Sequence, residues 1–208
     1  MSTAFPARKK GSHFLCFLIL PLVLFTGCES RIAHRDSKGK NIICFGDSIT
    51  RGAGSTEGND YPFLLSKKLN LEVLNAGANG NTTEDALSRM QSDVLDRDPR
   101  LVIIEFSGND FLQGLPLERT LRNIDRMVVM AQARHAMVVL VEVAAGYFGD
   151  QYLAGFKEIA EKRQALLIPN IMEGIMADPS LKSDEIHPND KGYRLIAERI
   201  YEKIKPLL

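Results

Sequence analysis

Asn41-Ile42-Ile43-Cys44-Phe45-Gly46-Asp47-Ser48-Ile49 is an apolar, β-branched run that stops on a Gly-Asp-Ser turn and continues as Thr50-Arg51-Gly52-Ala53-Gly54. Such a run reads as a buried strand that ends abruptly and presents a hydroxyl at its carboxyl end. In open α/β sheets that edge is where ligands bind. Ser48 is therefore a candidate nucleophile if a base and oxyanion donors exist elsewhere. The competing reading is that Asp47 and Ser48 only cap a following helix.

Outward from this stretch the chain alternates. Strand-like runs fall at 41–45, 72–75, 101–106, 137–143 and 166–168, separated by helical patterns at 61–69, 83–96, 117–134, 152–164 and 190–204. Leu121, Ile124, Met127, Val128 and Ala131 recur at intervals of three and four, the spacing of one buried helix face. Leu101-Val102-Ile103-Ile104 and Val138-Val139-Leu140-Val141 are continuous apolar runs, as expected of strands covered on both faces. Alternation with right-handed crossovers predicts a five-stranded parallel sheet in a three-layer α/β/α domain of flavodoxin-like type.

A parallel sheet brings the residues after each strand to a common edge. Four polar clusters then converge: Gly46-Asp47-Ser48, Asn75-Ala76-Gly77-Ala78-Asn79-Gly80-Asn81-Thr82, Ser107-Gly108-Asn109-Asp110 and Asp184-Glu185-Ile186-His187-Pro188. A serine hydroxyl needs a base, because its own ionisation is negligible at neutral pH. Of 4 histidines, only His187 lies on this edge; His13 and His34 precede the domain, and His135 sits between a helix and a strand. Asp184 is close enough in sequence for one turn to bring it to the imidazole. Glu185 is a rival acid with poorer spacing. Pro188 restricts His187 to extended backbone. Oxyanion donors can come from glycine N–H groups in the second cluster and from the Asn109 carboxamide. Each cluster alone could be an ordinary turn or helix cap; their order on one edge favours catalysis.

The amino-terminal segment has a different logic. Arg8, Lys9 and Lys10 precede an apolar stretch, 14–25, interrupted only by Pro21, and small residues Thr26 and Gly27 then lead to Cys28. The apolar stretch is shorter than the roughly 20 residues of a membrane-spanning helix and has the layout of an export signal. Leu24-Phe25-Thr26-Gly27-Cys28 resembles the lipobox of bacterial lipoproteins, with Phe25 where an aliphatic residue is usual. The expected organisation is a signal at 1–27, a polar tether at 28–40 and a domain at 41–208. Lipidation of Cys28 would anchor the protein to a membrane, with the outer membrane facing the periplasm expected because Glu29 is not aspartate; simple secretion is the alternative.

The remaining composition narrows the chemistry. Lys plus Arg and Asp plus Glu are equal at 26 each, which argues against a nucleic-acid partner. Of 3 cysteines only Cys44 lies in the domain, so it packs as a small hydrophobe and forms no internal disulfide. No Cys/His cluster has metal-ligand spacing, and no metal is indicated. About 180 residues after Cys28 suit one well-packed domain.

Gly46-Asp47-Ser48-Ile49, the glycine loop with Gly80, Gly108-Asn109-Asp110 and Asp184-x-x-His187 resemble, in order, the four signature blocks of SGNH (GDSL-type) hydrolases. The resemblance spans the whole domain and is greatest to bacterial extracytoplasmic thioesterase/lysophospholipase members. It implies Ser48 as nucleophile, His187 as base and Asp184 as its orienting acid, with the Ser48 and Gly80 N–H groups and Asn109 forming the oxyanion hole and Gly77 left as a turn residue. It implies no cofactor and a small acyl ester or thioester substrate. Asp47 would brace the nucleophile turn. Phe111 and Leu112, in the apolar stretch after Gly-Asn-Asp, would line an acyl pocket, with 144–149 as a second wall. Carbohydrate O-acetylesterases share the resemblance, and a lipoprotein scaffold without activity is a further alternative.

Overall fold

The computed structural model describes Met1, residues 32–143 and residues 150–208. The segment read as an export signal, Cys28 and the expected second wall at 144–149 lie outside the described residues. Five strands form one parallel sheet: β1 (Asn41–Gly46), β2 (Val73–Gly77), β3 (Pro99–Glu105), β4 (Met137–Val141) and β5 (Leu166–Ile168), in the order β2-β1-β3-β4-β5. This is the flavodoxin-like order expected from the alternation.

The helices between them are α1 (Ser48–Arg51), α2 (Tyr61–Leu69), α3 (Thr83–Asp93), α4 (Gly108–Leu112), α5 (Leu117–Gln132), α6 (Asp150–Arg163) and α7 (Asp190–Ile204). Their starts follow local chemistry. Asp60 caps α2 through the Phe63 N–H with Pro62 in the first turn, Thr82 and Asp85 form a capping box on α3, and Asn189 caps α7. The two short helices, α1 and α4, were not expected as elements; at four and five residues they are too brief for a periodic signal.

Alternation along β1 divides the core. Ile42 and Cys44 pack with Tyr61 and Leu65 of α2 and Tyr193, Ile196 and Ile200 of α7 on one face. Ile43 and Phe45 pack on the other face with Ala86 and Met90 of α3, Ile124, Met127 and Val128 of α5, and Phe156 of α6. The methionine-bearing stripe of α5 is thus core. Cys44 is fully buried, and burial pushes its thiol far above its usual range.

Residues 32–40, which the sequence suggested as tether, lie along the amino edge of the sheet. Ile32 packs against the first core cluster, the Ala33 N–H donates to the Gln164 carbonyl at 2.8 Å, and the Lys40 N–H donates to the Asp98 carbonyl at 3.0 Å. Arg35 reaches the Pro206 carbonyl at 2.8 Å, and His34 meets His135 edge-on at 5.3 Å. Gln164, His135 and Asp98 immediately precede β5, β4 and β3, whereas every cluster of interest follows a strand at the opposite edge.

Candidate active site

The strand order reverses between β1 and β3, and the crevice at that switch point receives the residues following both. β1 delivers Ser48 as the first residue of α1, where the N–H groups have no partner within the helix. The Asp47 side chain caps this turn by accepting from the Ile49 N–H at 2.9 Å. Capping and presentation of Ser48 are therefore simultaneous, and the two readings of Gly-Asp-Ser do not exclude each other.

The imidazole arrives on a loop tied down at several points. Ser183 N–H donates to the His187 carbonyl at 3.0 Å, Lys182 and Pro188 form an antiparallel bridge, and Asn189 Nδ2 bonds the Ser180 and Lys182 carbonyls at 2.9 and 3.1 Å. Within this turn Asp184 Oδ1 accepts the Ile186 and His187 N–H groups at 2.9 and 2.8 Å, and Oδ2 lies 2.8 Å from His187 Nδ1. His187 Nε2 lies 3.0 Å from Ser48 Oγ. The backbone N–H of His187, then its ring, then the Ile186 N–H hold the Asp184 carboxyl down at about 2. Of the two neighbouring acids, Asp184 is the one whose carboxylate contacts the ring.

Asn109 sits in α4, which β3 delivers to the same crevice. Its Nδ2 donates to the Asn81 carbonyl at 3.0 Å and makes a longer 3.3 Å contact with Asp47 Oδ2. Its neighbour Asp110 is buried and fastens α4 to the helices beside it. Asp110 accepts the Thr83 N–H at 2.8 Å, the Thr83 hydroxyl at 2.5 Å and the Thr120 hydroxyl at 3.1 Å. Ser107, just before α4, carries φ of +138°, a left-handed conformation in a buried non-glycine residue and a local store of backbone strain.

The two glycines of the second loop differ. Gly77 ends β2, donates its N–H to Asn75 Oδ1 at 2.9 Å, and lies so close to α1 that a Cβ would sit 2.2 Å from the Arg51 nitrogen. Gly80 lies beyond it at φ +75°, exposed, with nothing within 4 Å of where a Cβ would be. Close packing thus explains Gly77, and only Gly80 offers an open backbone.

A groove of about 230 Å³ opens beside Ser48 and His187, lined by Ile49, Gly108, Asn109, Phe111, Leu112, Val143, Met172, Met176 and Ile186. Phe111 and Leu112 stand at its rim, 40% and 59% exposed, and Phe111 lies edge-on to Tyr152 at 6.1 Å. Met172 and Met176, from the irregular segment after β5, and Ile186, beside His187, were not foreseen. The segment after β5 carries no polar cluster, so nothing in its composition separates groove lining from loop packing.

Two charged residues, Glu105 and Arg89, were also not foreseen. Glu105 ends β3 at 1% exposure and accepts from the Thr50 hydroxyl at 2.7 Å. Burial, then the Asp47 charge, pushes Glu105 well above the carboxylate range. Burial pushes Asp47, 3% exposed, to about 6 against the Ile49 N–H and Glu105, which lower it. Both carboxyls are thus held above the ordinary carboxylate range by burial, Glu105 also by the Asp47 charge. A lone acid closing an otherwise apolar strand was the available signal. Arg89, on α3, donates to the Gly46 carbonyl at 2.9 Å, the Ala76 carbonyl at 2.8 Å and Asn81 Oδ1 at 2.6 Å. Its guanidinium lies 4.5 Å from the Phe45 ring centre. Its position three residues after buried Ala86 hinted at an inward face.

Comparison with known proteins agrees with this geometry. Residues 44–195 match the GDSL-like Lipase/Acylhydrolase family, and the chain belongs to it: it is a hydrolase acting on ester bonds. It is 27% identical over 198 residues to Esterase TesA of Pseudomonas aeruginosa, covering 89% of this chain and 98% of that one. It is 29% identical over 203 residues to Thioesterase 1/protease 1/lysophospholipase L1 of Escherichia coli strain K12, covering 93% of each. A crystal structure of TesA superposes with a TM-score of 0.76 at 26% identity, covering 81% of this chain and 99% of that one. Uncharacterized lipoprotein YqeF of Bacillus subtilis is 42% identical over 104 residues, 45% of this chain and 40% of that one.

Proposed function

We propose that the protein hydrolyses acyl esters or thioesters through a covalent acyl-enzyme on Ser48. The observation that carries this reading is the linear chain Ser48 Oγ, His187 and Asp184, with links of 3.0 and 2.8 Å, at the mouth of an apolar groove. His187 Nδ1–H donates to Asp184, which leaves Nε2 free to accept the Ser48 proton. Ser48 Oγ attacks the carbonyl carbon as that proton moves to Nε2. The resulting oxyanion takes hydrogen bonds from the Ser48 and Gly80 N–H groups and from Asn109, whose long contact with Asp47 is the one given up. Collapse expels the alcohol or thiol, which takes the proton from His187. Water then attacks the acyl-Ser48 carbonyl, its proton passing to Nε2, and the carboxylic acid leaves as the proton returns to Ser48.

The groove supports an acyl chain as the group held, with Phe111, Leu112, Met172 and Met176 as its walls. The thioesterase and lysophospholipase names of the E. coli relative are consistent with such substrates. Export with a lipid anchor on Cys28 is part of this reading. It rests on the sequence pattern through Cys28 and on the resemblance to a lipoprotein.

The test is a p-nitrophenyl ester series from acetate to palmitate with the wild type and Ser48→Ala, together with labelling by a fluorophosphonate. Ser48→Ala should fold normally, lose at least about 10³-fold in kcat/KM and escape labelling. Near-wild-type turnover of the alanine variant sinks the nucleophile. Preference for acetate over longer chains sinks the acyl-groove reading and favours a carbohydrate O-acetylesterase.

A further inference from the structure

We propose that the lipid anchor holds the domain with its groove turned away from the bilayer, so that the enzyme takes water-dispersed acyl esters or thioesters rather than lipids of its own membrane. The inference rests on the lipid anchor at Cys28 proposed above. Its structural basis is where the chain enters the fold. From Ile32 onward the polypeptide is bound to the amino edge of the sheet. Ile32 packs on the core, the Ala33 N–H bonds the Gln164 carbonyl at 2.8 Å, and Arg35 bonds the Pro206 carbonyl at 2.8 Å. Gly39 lies against the Pro99 and Arg100 backbone so closely that a Cβ would be 2.3 Å from the Pro99 oxygen. The Lys40 and Asn41 N–H groups close the segment on the Asp98 carbonyl at 3.0 and 3.1 Å.

Only three residues, Glu29, Ser30 and Arg31, therefore separate Cys28 from the docked Ile32, a path of four Cα-to-Cα steps. Fully extended, those four steps reach at most about 14 Å. The groove opens at the other end of the strands, and β3 alone, seven residues long, spans about 20 Å between the edges. Pressing the groove mouth onto the bilayer would lift Ile32 by at least that distance, beyond the reach of the anchor. The anchored domain consequently stands on its amino edge. Phe111, Leu112 and Ile186, the exposed apolar rim of the groove, face the aqueous compartment. An acyl chain reaching them has to leave the bilayer or arrive as a soluble ester, thioester or carrier-bound chain.

Orientation can be read without activity. The full-length lipidated protein is reconstituted in phosphatidylethanolamine/phosphatidylglycerol vesicles with nitroxide on the lipid headgroups, a quencher that acts only over short range. A fluorophore is placed at Lys38→Cys on the amino edge or at Leu112→Cys on the groove rim; labelling is selective because Cys44 is buried. Flotation of the wild type with the vesicles, and its loss in Cys28→Ser, tests the anchor itself. If the protein floats, the Lys38 site should be quenched at least fivefold more strongly than the Leu112 site. Inserting twenty Gly/Ser residues between Arg31 and Ile32 should largely erase that difference. A Leu112 site quenched as strongly as Lys38 in the floating wild type overturns the orientation, as does a floating protein in which neither site is quenched. A wild type that fails to float overturns the anchor instead, and the orientation with it.

Discussion

The roles proposed for Ser48, Asp184 and His187 need side-chain chemistry that few other residue types can supply, so the identities and order of these residues stand out in the sequence. Asp47 and Glu105 act through burial, which a sequence does not print. Their pairing beneath α1 has a consequence for stability. Asp47 rises from an ordinary value of 3.8 to about 6 in the fold, so the folded state binds its proton more tightly than the unfolded chain does. The contribution is fully present below 3.8 and is lost as the pH rises through about 6. The expected size over that window is up to about 3 kcal/mol. Asp47→Asn has no such titration and keeps an acceptor for the Ile49 N–H. Urea unfolding of both proteins from pH 4 to 8 should therefore show the variant gaining on the wild type up to about pH 6 and then a constant difference. A difference independent of pH would mean that Asp47 titrates as an ordinary exposed carboxyl. Asp184 behaves in the opposite sense: lowered to about 2, its contribution is present above 3.8 and is lost only as the pH falls through 2.

At the scale of elements, the ends of β1 and β2 and the loop after β2 are fastened by one side chain from α3. Arg89 offers a rigid fork of N–H donors, and besides its ion pair with Asp93 on its own helix it gives them to the Gly46 and Ala76 carbonyls and to Asn81. Asn81 in turn gives its own carbonyl to the Asn109 amide. Losing the fork removes a donor from the Gly46 and Ala76 carbonyls, the former then held by the Ala78 N–H alone among these contacts, and frees the loop whose Asn81 carbonyl holds the Asn109 amide. Arg89→Met should cost about 2–3 kcal/mol in urea unfolding and lower kcat for a p-nitrophenyl ester at least tenfold with little change in KM. Arg89→Lys should recover less than half of the loss, because an ammonium cannot bridge the three acceptors. An unchanged kcat in folded Arg89→Met would reduce Arg89 to a purely structural clip. The five strands and five longer helices were legible because hydrophobic periodicity over several turns is a strong signal. The capping segments α1 and α4 were not, since their short helical turns depend on Asp47 and on the Asp110 contacts with α3 and α5.

For the whole molecule, the segment at 32–40 shows how backbone contacts can seat a polar stretch on the domain. It has little to bury, yet Ile32 and a series of backbone bonds attach it to the amino edge. A chain beginning at Asn41 should be less stable than one beginning at Arg31 by about 1–3 kcal/mol, or several degrees in Tm, with unchanged ester turnover at low temperature. Equal melting temperatures would mean that the segment only rests on the domain. The sequence by itself determined the parallel α/β architecture and the four motifs on one sheet edge, because strand periodicity and crossover handedness bring the residue after every strand to the same side. It also determined which side chains could do the chemistry, since hydroxyl, imidazole and carboxylate are few and distinctive. Only the tertiary structure decided that Met172, Met176 and Ile186 line the groove, that Glu105 is buried beside Asp47, and that residues 32–40 lie at the edge opposite the four motifs. Those properties come from contacts between residues far apart in the chain, where burial and proximity, rather than residue type, set what each group does.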